Sequence, residues 1–351
     1  MKKLLPGILA ILAFTALVSC GTEYEVALIT DLGPVDDKSF NQGAWEGVLA
    51  YAEEHDVSHK YYRPAEDSAA ARLDAIALAV KGGAKIVVCP GFLFGEVVFE
   101  AQDKYPETSF ILLDADPHDA SFSEFRIEDN VMSIYYAEEQ GGFQVGYAAV
   151  KDGYTNLGFF GGVSVPAVVR YGIGFIQGAD YAAVEDGVDV SIKYKYLGSF
   201  DAMPEYKTLA SSWYSDGTEV IFVAAGGSIN NAISAAEEIG GKKVIGCNVD
   251  QKDLSDVIIT SSLKQLAASV KSGLEDFYGG RFMGGEIIRL DAAGGGVGIP
   301  DDYSRFSSFD RAANEKIFGK LVDGSVKVSS DIDVDVPEGM GLRRTTVTVV
   351  E

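Results

Sequence analysis

Short apolar runs alternate with longer amphipathic stretches along almost the whole chain. Strand-like runs fall at 25–30, 58–63, 85–89, 109–113, 125–128, 155–160, 190–197, 219–224, 243–247 and 257–261. Between them, helix-like segments occupy 42–54, 68–82, 95–104, 135–151, 168–185, 204–215, 228–239 and 264–278. Strands that alternate with helices predict βαβ units, because parallel neighbours need a crossover connection. The pattern therefore predicts an α/β protein with parallel sheets. No repeat of solenoid period and no low-complexity linker separates two halves, so two lobes are expected to share several crossovers.

The first strand-to-helix connection carries the most chemistry. Asp36-Asp37-Lys38-Ser39-Phe40-Asn41 lies just beyond the run Val26-Ala27-Leu28-Ile29-Thr30 and just before a helix. In doubly wound sheets, ligands bind beyond the carboxyl ends of the strands. This loop puts acceptors (Asp36, Asp37), donors (Ser39, Asn41) and an aromatic face (Phe40) at that edge. Capping of the helix by Asp37 or Ser39 is the plainer role for the same residues. Capping alone does not call for Phe40 among the polar groups.

Other strands end in the same manner. Phe110 to Leu113 is followed by Asp114, Lys193 to Leu197 by Gly198-Ser199-Phe200, Phe222 to Ala225 by Gly226-Gly227, and Val244 to Val249 by Asp250. Lys264, after Ser261-Ser262-Leu263, is placed at the start of a helix. Converging on one cleft, these groups suit a planar base carried on a polyol. Phe40 and Phe200 could sandwich the base, Asp114 could accept from a ring nitrogen or amino group, and Asp250 with Lys264 could hold a vicinal diol. Gly226-Gly227 would let backbone approach the ligand, and Tyr171 could add an aromatic edge. Each has a structural alternative: helix caps for Asp114 and Asp250, core for Phe200, helix packing for Tyr171 and a solvated position for Lys264.

Asp37-Lys38-Ser39-Phe40-Asn41 with Trp45-Glu46-Gly47 resembles the opening of the basic membrane protein (Bmp) family of bacterial lipoproteins, which includes the purine nucleoside receptors of spirochaetes. The resemblance continues through Glu139-Gln140-Gly141-Gly142-Phe143 and Gly146-Tyr147-Ala148-Ala149, then Gly161-Gly162 and Arg170-Tyr171-Gly172-Ile173-Gly174-Phe175. It is seen again in Ala224-Ala225-Gly226-Gly227, Val249-Asp250-Gln251 and Thr260-Ser261-Ser262-Leu263-Lys264. It implies the type I periplasmic-binding-protein fold, in which two Rossmann-like lobes joined by three hinge crossovers close on a ligand. By that likeness lobe one comprises 20–131 and 262–285, and lobe two 132–261 and 286–351. It also implies a substrate-binding protein that works with ABC transporter permease subunits. The implied ligand is a purine nucleoside (adenosine, guanosine or inosine), bound at the first loop, Asp114, Phe200 and the hinge residue Asp250.

The amino terminus bears on the compartment. Lys2-Lys3 precede an apolar segment, Leu4 to Val18, too short for a comfortable membrane span. Leu17-Val18-Ser19-Cys20 reads as a lipobox, so residues 1–19 are expected to be a signal peptide and Cys20 the acylated first residue. The protein would then sit on a membrane through its lipid. The other two cysteines, Cys89 and Cys247, end apolar runs and read as small buried residues. The three histidines, His55, His59 and His118, have no ligand spacing, and no metal or cofactor is expected.

A formal charge of −23 on 351 residues offers no basic groove for nucleic acid and disfavours anionic substrates. There is no phosphate-binding loop, no H-E-x-x-H and no G-x-S-x-G, so an enzyme is not expected. Gly172-Ile173-Gly174-Phe175-Ile176-Gln177-Gly178 misses the dinucleotide fingerprint by one position and reads as helix packing. Asp331-Ile332-Asp333-Val334-Asp335-Val336 lacks the sixth-position glycine of a calcium loop and reads as a half-exposed strand. A nucleoside-binding lipoprotein is the first reading. A surface adhesin and a sugar or other small-ligand receptor on the same fold remain as alternatives.

Overall fold

The computed structural model describes residues 23–31, 33–330 and 340–350. Cys20, its lipobox and the Asp331–Val336 segment lie outside the described residues.

In chain order the first half contains β1 (Val26–Ile29), α1 (Phe40–His55), β2 (His59–Tyr62), α2 (Ala69–Lys81), β3 (Ile86–Pro90), α3 (Gly95–Lys104), β4 (Ser109–Leu113) and β5 (Val131–Tyr136). There follow α4 (Glu138–Lys151), β6 (Asn156–Gly161), α5 (Pro166–Asp186), β7 (Val190–Tyr196), α6 (Pro204–Ser215) and β8 (Val220–Ala224). The last third holds α7 (Ile229–Ile239), β9 (Lys243–Asn248), β10 (Ile258–Lys264), α8 (Leu266–Tyr278), β11 (Ile287–Leu290), β12 (Val297–Gly298), α9 (Arg311–Val322) and β13 (Thr345–Val349).

These strands make two sheets. One runs β11-β5-β4-β3-β1-β2 and the other β12-β10-β9-β8-β6-β7-β13. All pairings in the first sheet are parallel. In the second only the short β10–β12 contact is antiparallel. The strand order steps away from β1 in both directions, which makes a doubly wound sheet with helices on both faces. The central strands are buried at every position, as in β1, β3 and β8, because helices cover both sides.

Crossovers fall slightly later than expected. β5 belongs to the first sheet through Tyr136, and α4 then packs on α5 of the second lobe. β10 belongs to the second sheet through Lys264, after which α8 packs on α1 of the first. β11 rejoins the first sheet beside β5, and the chain leaves it again toward β12. The expected changes of lobe after 131, 261 and 285 thus each fall within or before a strand that still belongs to the preceding or first sheet.

Two element expectations are corrected. Residues 125–128 are not a strand: Phe125 is exposed and only bridges His118, in a loop organised by Asp119, whose Oδ1 accepts from Ser123 N at 2.7 Å and Glu124 N at 3.0 Å. The strand lies instead at β5, whose carboxyl-terminal residues were merged into the helix that follows. Likewise Ser261 to Lys264 ends β10 and does not open a helix. The strands β11, β12 and β13 and the helix α9 were not expected.

The glycine-rich motifs are helix contacts. A Cβ at Gly146 would lie 2.1 Å from Phe175 O, and one at Gly178 would lie 1.9 Å from Phe143 O. α4 and α5 can approach backbone to backbone only without those side chains. Gly174 and Gly178 serve this packing.

Candidate functional site

Both sheets point their carboxyl ends at one cavity of about 390 Å³. Its lining includes Asp37, Ser39, Phe40, Asn41, Phe92 and Asp114 from the first lobe. Val168, Tyr171, Phe200, Gly226, Gly227, Cys247, Asn248 and Lys264 line it from the second. Of the groups expected there from sequence, Asp36 and Asp250 are missing.

The first loop is built by Asp37. Its carboxylate accepts from the backbone N–H groups of Ser39 (2.8 Å), Asn41 (3.0 Å) and Gln42 (3.1 Å), which are orphan donors at the start of α1. Asp37 therefore caps the helix and lines the cavity at once. Ser39 caps nothing with its side chain; its Oγ accepts from Asn248 Nδ2 at 2.8 Å, a bond between the lobes. Asn41 donates to Asp31 Oδ1 at 2.6 Å and to Asp37 Oδ2 at 3.1 Å. Burial raises the pKa of both aspartates despite these bonds. With its polar neighbours so tied, Phe40 at the first turn is left half-buried on the cavity wall.

Asp114 and Asn248 follow or end β4 and β9 with φ of +63° and +70°. That left-handed conformation costs most residues energy, and Asp and Asn tolerate it best. At these positions it turns a strand end directly into the cavity. The turn after Asn248 carries Asp250 to the outside, where it is exposed and its Oδ1 accepts from Lys252 N at 3.1 Å. Asn248, not Asp250, is the polar side chain at the end of β9, and Tyr171 OH donates to its Oδ1 at 3.2 Å. The expected partnership of Asp250 with Lys264 does not form.

Lys264 is instead the centre of a buried ionic chain. Its Nζ lies 2.7 Å from Asp114 Oδ2 and 2.7 Å from Glu138 Oε1, and Glu138 Oε2 accepts from Arg170 Nε at 2.6 Å. The lysine side chain is 1% exposed and that of Glu138 is 0% exposed. The aromatic rings of Phe40, Tyr136 and Tyr171 stand 4.8–5.7 Å from Nζ. Burial disfavours the lysine's charge, but Asp114 and Glu138 outweigh it and raise its pKa. Burial also raises Asp114, to about 6, with Lys264 opposing and Glu138 adding to the shift. For Glu138 burial is again the largest effect, yet Lys264 and Arg170 together bring it below the ordinary value. Asp114 keeps one oxygen, Oδ1, buried with no partner, so an acceptor remains for a ligand.

Phe200 follows β7 and lies against Gly162 and Gly226. A Cβ at Gly162 would be 2.4 Å from the Phe200 ring, and Gly226 has φ of +52° with Phe200 O 3.2 Å from a Cβ. These glycines let the ring settle on backbone while its other face borders the cavity. Cys247, on the same cavity wall, is a free buried thiol with its pKa pushed up to about 12 by burial, and burial also raises the pKa of the free Cys89. The cavity wall holds five aspartates (Asp31, Asp37, Asp67, Asp114, Asp201) and one lysine.

Sequence reasoning missed Asn248, Glu138, Arg170, Asp31 and Phe92. Asn248 was within reach of the rule already applied to its neighbours, since it stands at a strand's carboxyl end. Glu138 and Arg170 gave no such signal: both are helical residues, and their pairing comes from the packing of α4 on α5.

Two α/β lobes, linked by shared crossovers and meeting around a solute-sized cavity, define a ligand-binding protein of the type I periplasmic-binding architecture. A solute-binding protein of an ABC transporter system from Aeropyrum pernix shares the fold with a TM-score of 0.75 and 25% identity, over 89% of this chain and 95% of that one. Residues 24–331 match the family described as ABC transporter substrate-binding protein PnrA-like, and the chain belongs to this Bmp family. Among its relatives, the nucleoside-binding protein BmpA of Lactococcus lactis is 28% identical, over 88% of this chain and 90% of the relative. Basic membrane protein A1 of Borrelia garinii is 30% identical, over 78% and 79%. Among the described residues, no helix is long and apolar enough to cross a membrane.

Proposed function

We propose that this protein binds purine nucleosides (adenosine, guanosine or inosine) in the interlobe cavity and delivers them to the permease subunits of an ABC importer. We also propose that it is held on the membrane by acylated Cys20. The observation that carries the ligand reading is the pair Phe40 and Phe200, one from each lobe, on the wall of a single cavity. A planar base between two rings gains stacking from both, about 1–3 kcal/mol per base. Asp114 Oδ1 then accepts from a ring N–H or amino group. Asn248, Ser39 and Lys264 supply donors and acceptors for ribose hydroxyls, the task first assigned to Asp250. The name of the Lactococcus relative agrees with a nucleoside ligand.

The charge of the wall gives selectivity. A nucleotide would bring a phosphate among five aspartates with one lysine, which is already paired. Like-charge repulsion and desolvation oppose it. A free base would leave the hydroxyl-binding groups unpaired, and sites built for a hydroxyl reject analogues lacking it by about 10⁴–10⁵.

Calorimetric competition among guanosine, guanine, guanosine monophosphate, cytidine and ribose tests the reading, with guanosine expected to bind tightest. Tightest binding by ribose would make the protein a sugar receptor, and tightest binding by the monophosphate would refute the account of the wall's charge. Mass spectrometry of the mature amino terminus tests the anchor, and an unacylated terminus beyond Cys20 would exclude it.

A further inference from the structure

The ligand cavity leaves unexplained a patch on the far edge of the first sheet. β2 is an edge strand. His59 and Tyr61 on one side of it meet Trp45 of α1, with ring centroids 5.5 and 5.6 Å away. On the other side, Lys60 Nζ lies 5.2 Å from the Tyr24 ring and 4.9 Å from the Tyr62 ring. Tyr61 is 45% exposed. α2 ends at the same corner, where Gly82 O accepts from Tyr24 N at 2.9 Å, and Leu78, four residues earlier, is 59% exposed.

This corner is where the chain runs back toward Cys20. Four residues of chain reach at most about 14 Å, so an acyl chain on Cys20 would hold Tyr24 close to the bilayer surface. Tyr24 is fixed to the domain by its bond to Gly82, so the tether acts on the whole lobe. We propose that the β2 edge, through Trp45, Lys60, Tyr61 and Leu78, rests in the lipid headgroup layer of the membrane that holds the anchor. The proposal rests on acylation of Cys20 as put forward above.

The chemistry fits that layer. Tryptophan and tyrosine present an apolar ring and a polar tip and concentrate at membrane interfaces, and lysine extends its stem to keep its charge at headgroup level. The strong acidity of the chain would oppose contact elsewhere, but at this corner the exposed Lys60 offsets the exposed Glu23 beside Gly83, and Glu25 is paired with Lys85 at 2.7 Å. Protection of a bare sheet edge explains a short strand with a lysine. It does not explain the surrounding rings. Because β1 runs from this corner toward the cavity, such a contact also sets how the cleft is presented relative to the membrane.

Tryptophan fluorescence isolates the patch. The chain has two tryptophans, and Trp213 is buried in the other lobe at 3% exposure. The mature protein beginning at Cys20 is reconstituted in phosphatidylcholine vesicles with or without a headgroup nitroxide. It is tested both as isolated, with acylation checked by mass, and coupled through Cys20 to a maleimide lipid, since Cys89 and Cys247 are buried. The expected result is a fall in emission on the nitroxide lipid, because an interfacial tryptophan lies at headgroup level, no fall in Trp45→Phe, and loss of quenching in Lys60→Glu/Tyr61→Glu with guanosine affinity unchanged. Equal emission on both vesicles from the lipid-coupled protein would overturn the proposal. So would quenching that survives Lys60→Glu/Tyr61→Glu, or that needs added permease, which would make the patch a protein interface. A missing acyl group on the isolated protein would refute the anchor separately, whatever the coupled protein does.

Discussion

Replacing Lys264 with methionine keeps most of the side-chain volume and removes one charge from the buried chain. Two carboxylates lose a cation 2.7 Å away. They do not lose equally. Glu138 keeps Arg170 at 2.6 Å, whereas Lys264 is the one cation paired with Asp114 among the described residues. Breaking a buried pair from one side costs about 3–5 kcal/mol, and here Asp114 can reduce that cost by taking a proton. Its pKa is already raised to about 6 with the lysine present, and without Lys264 burial is opposed only by the weaker effect of Arg170 and raises it further. Between its unfolded value of 3.8 and this higher folded value, the folded state of the variant binds more protons than the unfolded state. Its stability therefore falls as pH rises through the interval. Urea unfolding of the parent and Lys264→Met at about pH 5 and about pH 8 should show the full loss at the higher pH and a smaller one at the lower. Adding Asp114→Asn should recover part of the loss at the higher pH. A loss below about 1 kcal/mol at both values, or one that does not change with pH, would refute the view that Asp114 depends on Lys264 to stay ionised.

Phe40→Ala and Phe200→Ala should each weaken nucleoside binding by about 1–3 kcal/mol; calorimetry that finds a folded Phe200→Ala binding like the parent would make Phe200 a packing residue only. Asn248→Ala should cost about 1–3 kcal/mol of binding, while Asp250→Ala, exposed and outside the cavity, should change it by less than about 0.5 kcal/mol. The reverse order in the same titration would restore Asp250 to the site. Nucleoside affinity should fall as pH drops below about 6, because protonation of Asp114 removes the acceptor. Isothermal titration across that range should show the fall in the parent and lose it in Asp114→Asn.

Most of the architecture was legible because period and burial agree. β4, α3 and α6 were placed to the residue, each bounded by turn or capping signals. β5 was not, because a strand buried on both faces has no alternation, and its last residues run into an acidic helix start. β11 and β12 are short strands whose pairing comes from distant chain segments, which local pattern does not encode. At the site, strand-end logic found Asp114, Phe200, Gly226 and Gly227, since topology alone carries such residues to the cleft. It reached Asp250 and not Asn248 because it ran the strand on through Val249, whereas β9 ends at Asn248. The left-handed turn at Asn248 decided the matter, and a backbone conformation of that kind is not written in residue type.

The ionic chain joins recognition to the relation between the lobes. Asp114 is delivered by the first sheet, Lys264 is the last residue of β10, where the chain next crosses to α8, and Glu138 is the second residue after β5, where it crosses the other way. Each charge thus stands within two residues of a strand end facing the cavity, two of them at a crossover. Of the two carboxylates that hold Lys264, Asp114 is the one that the relative position of the lobes would move. Ser39 and Asn248 make a second such link at 2.8 Å. A ligand that donates to Asp114 Oδ1 and bonds Asn248 therefore acts on these two interlobe links at once. By linkage, a ligand shifts such an equilibrium only by its differential affinity for the two arrangements. Bonding one group from each lobe is the most direct source of such a difference, since separation of the lobes would break the set. Phe40 and Phe200 extend the argument, for a ring can stack on both only while they stand on opposite walls of one closed cavity.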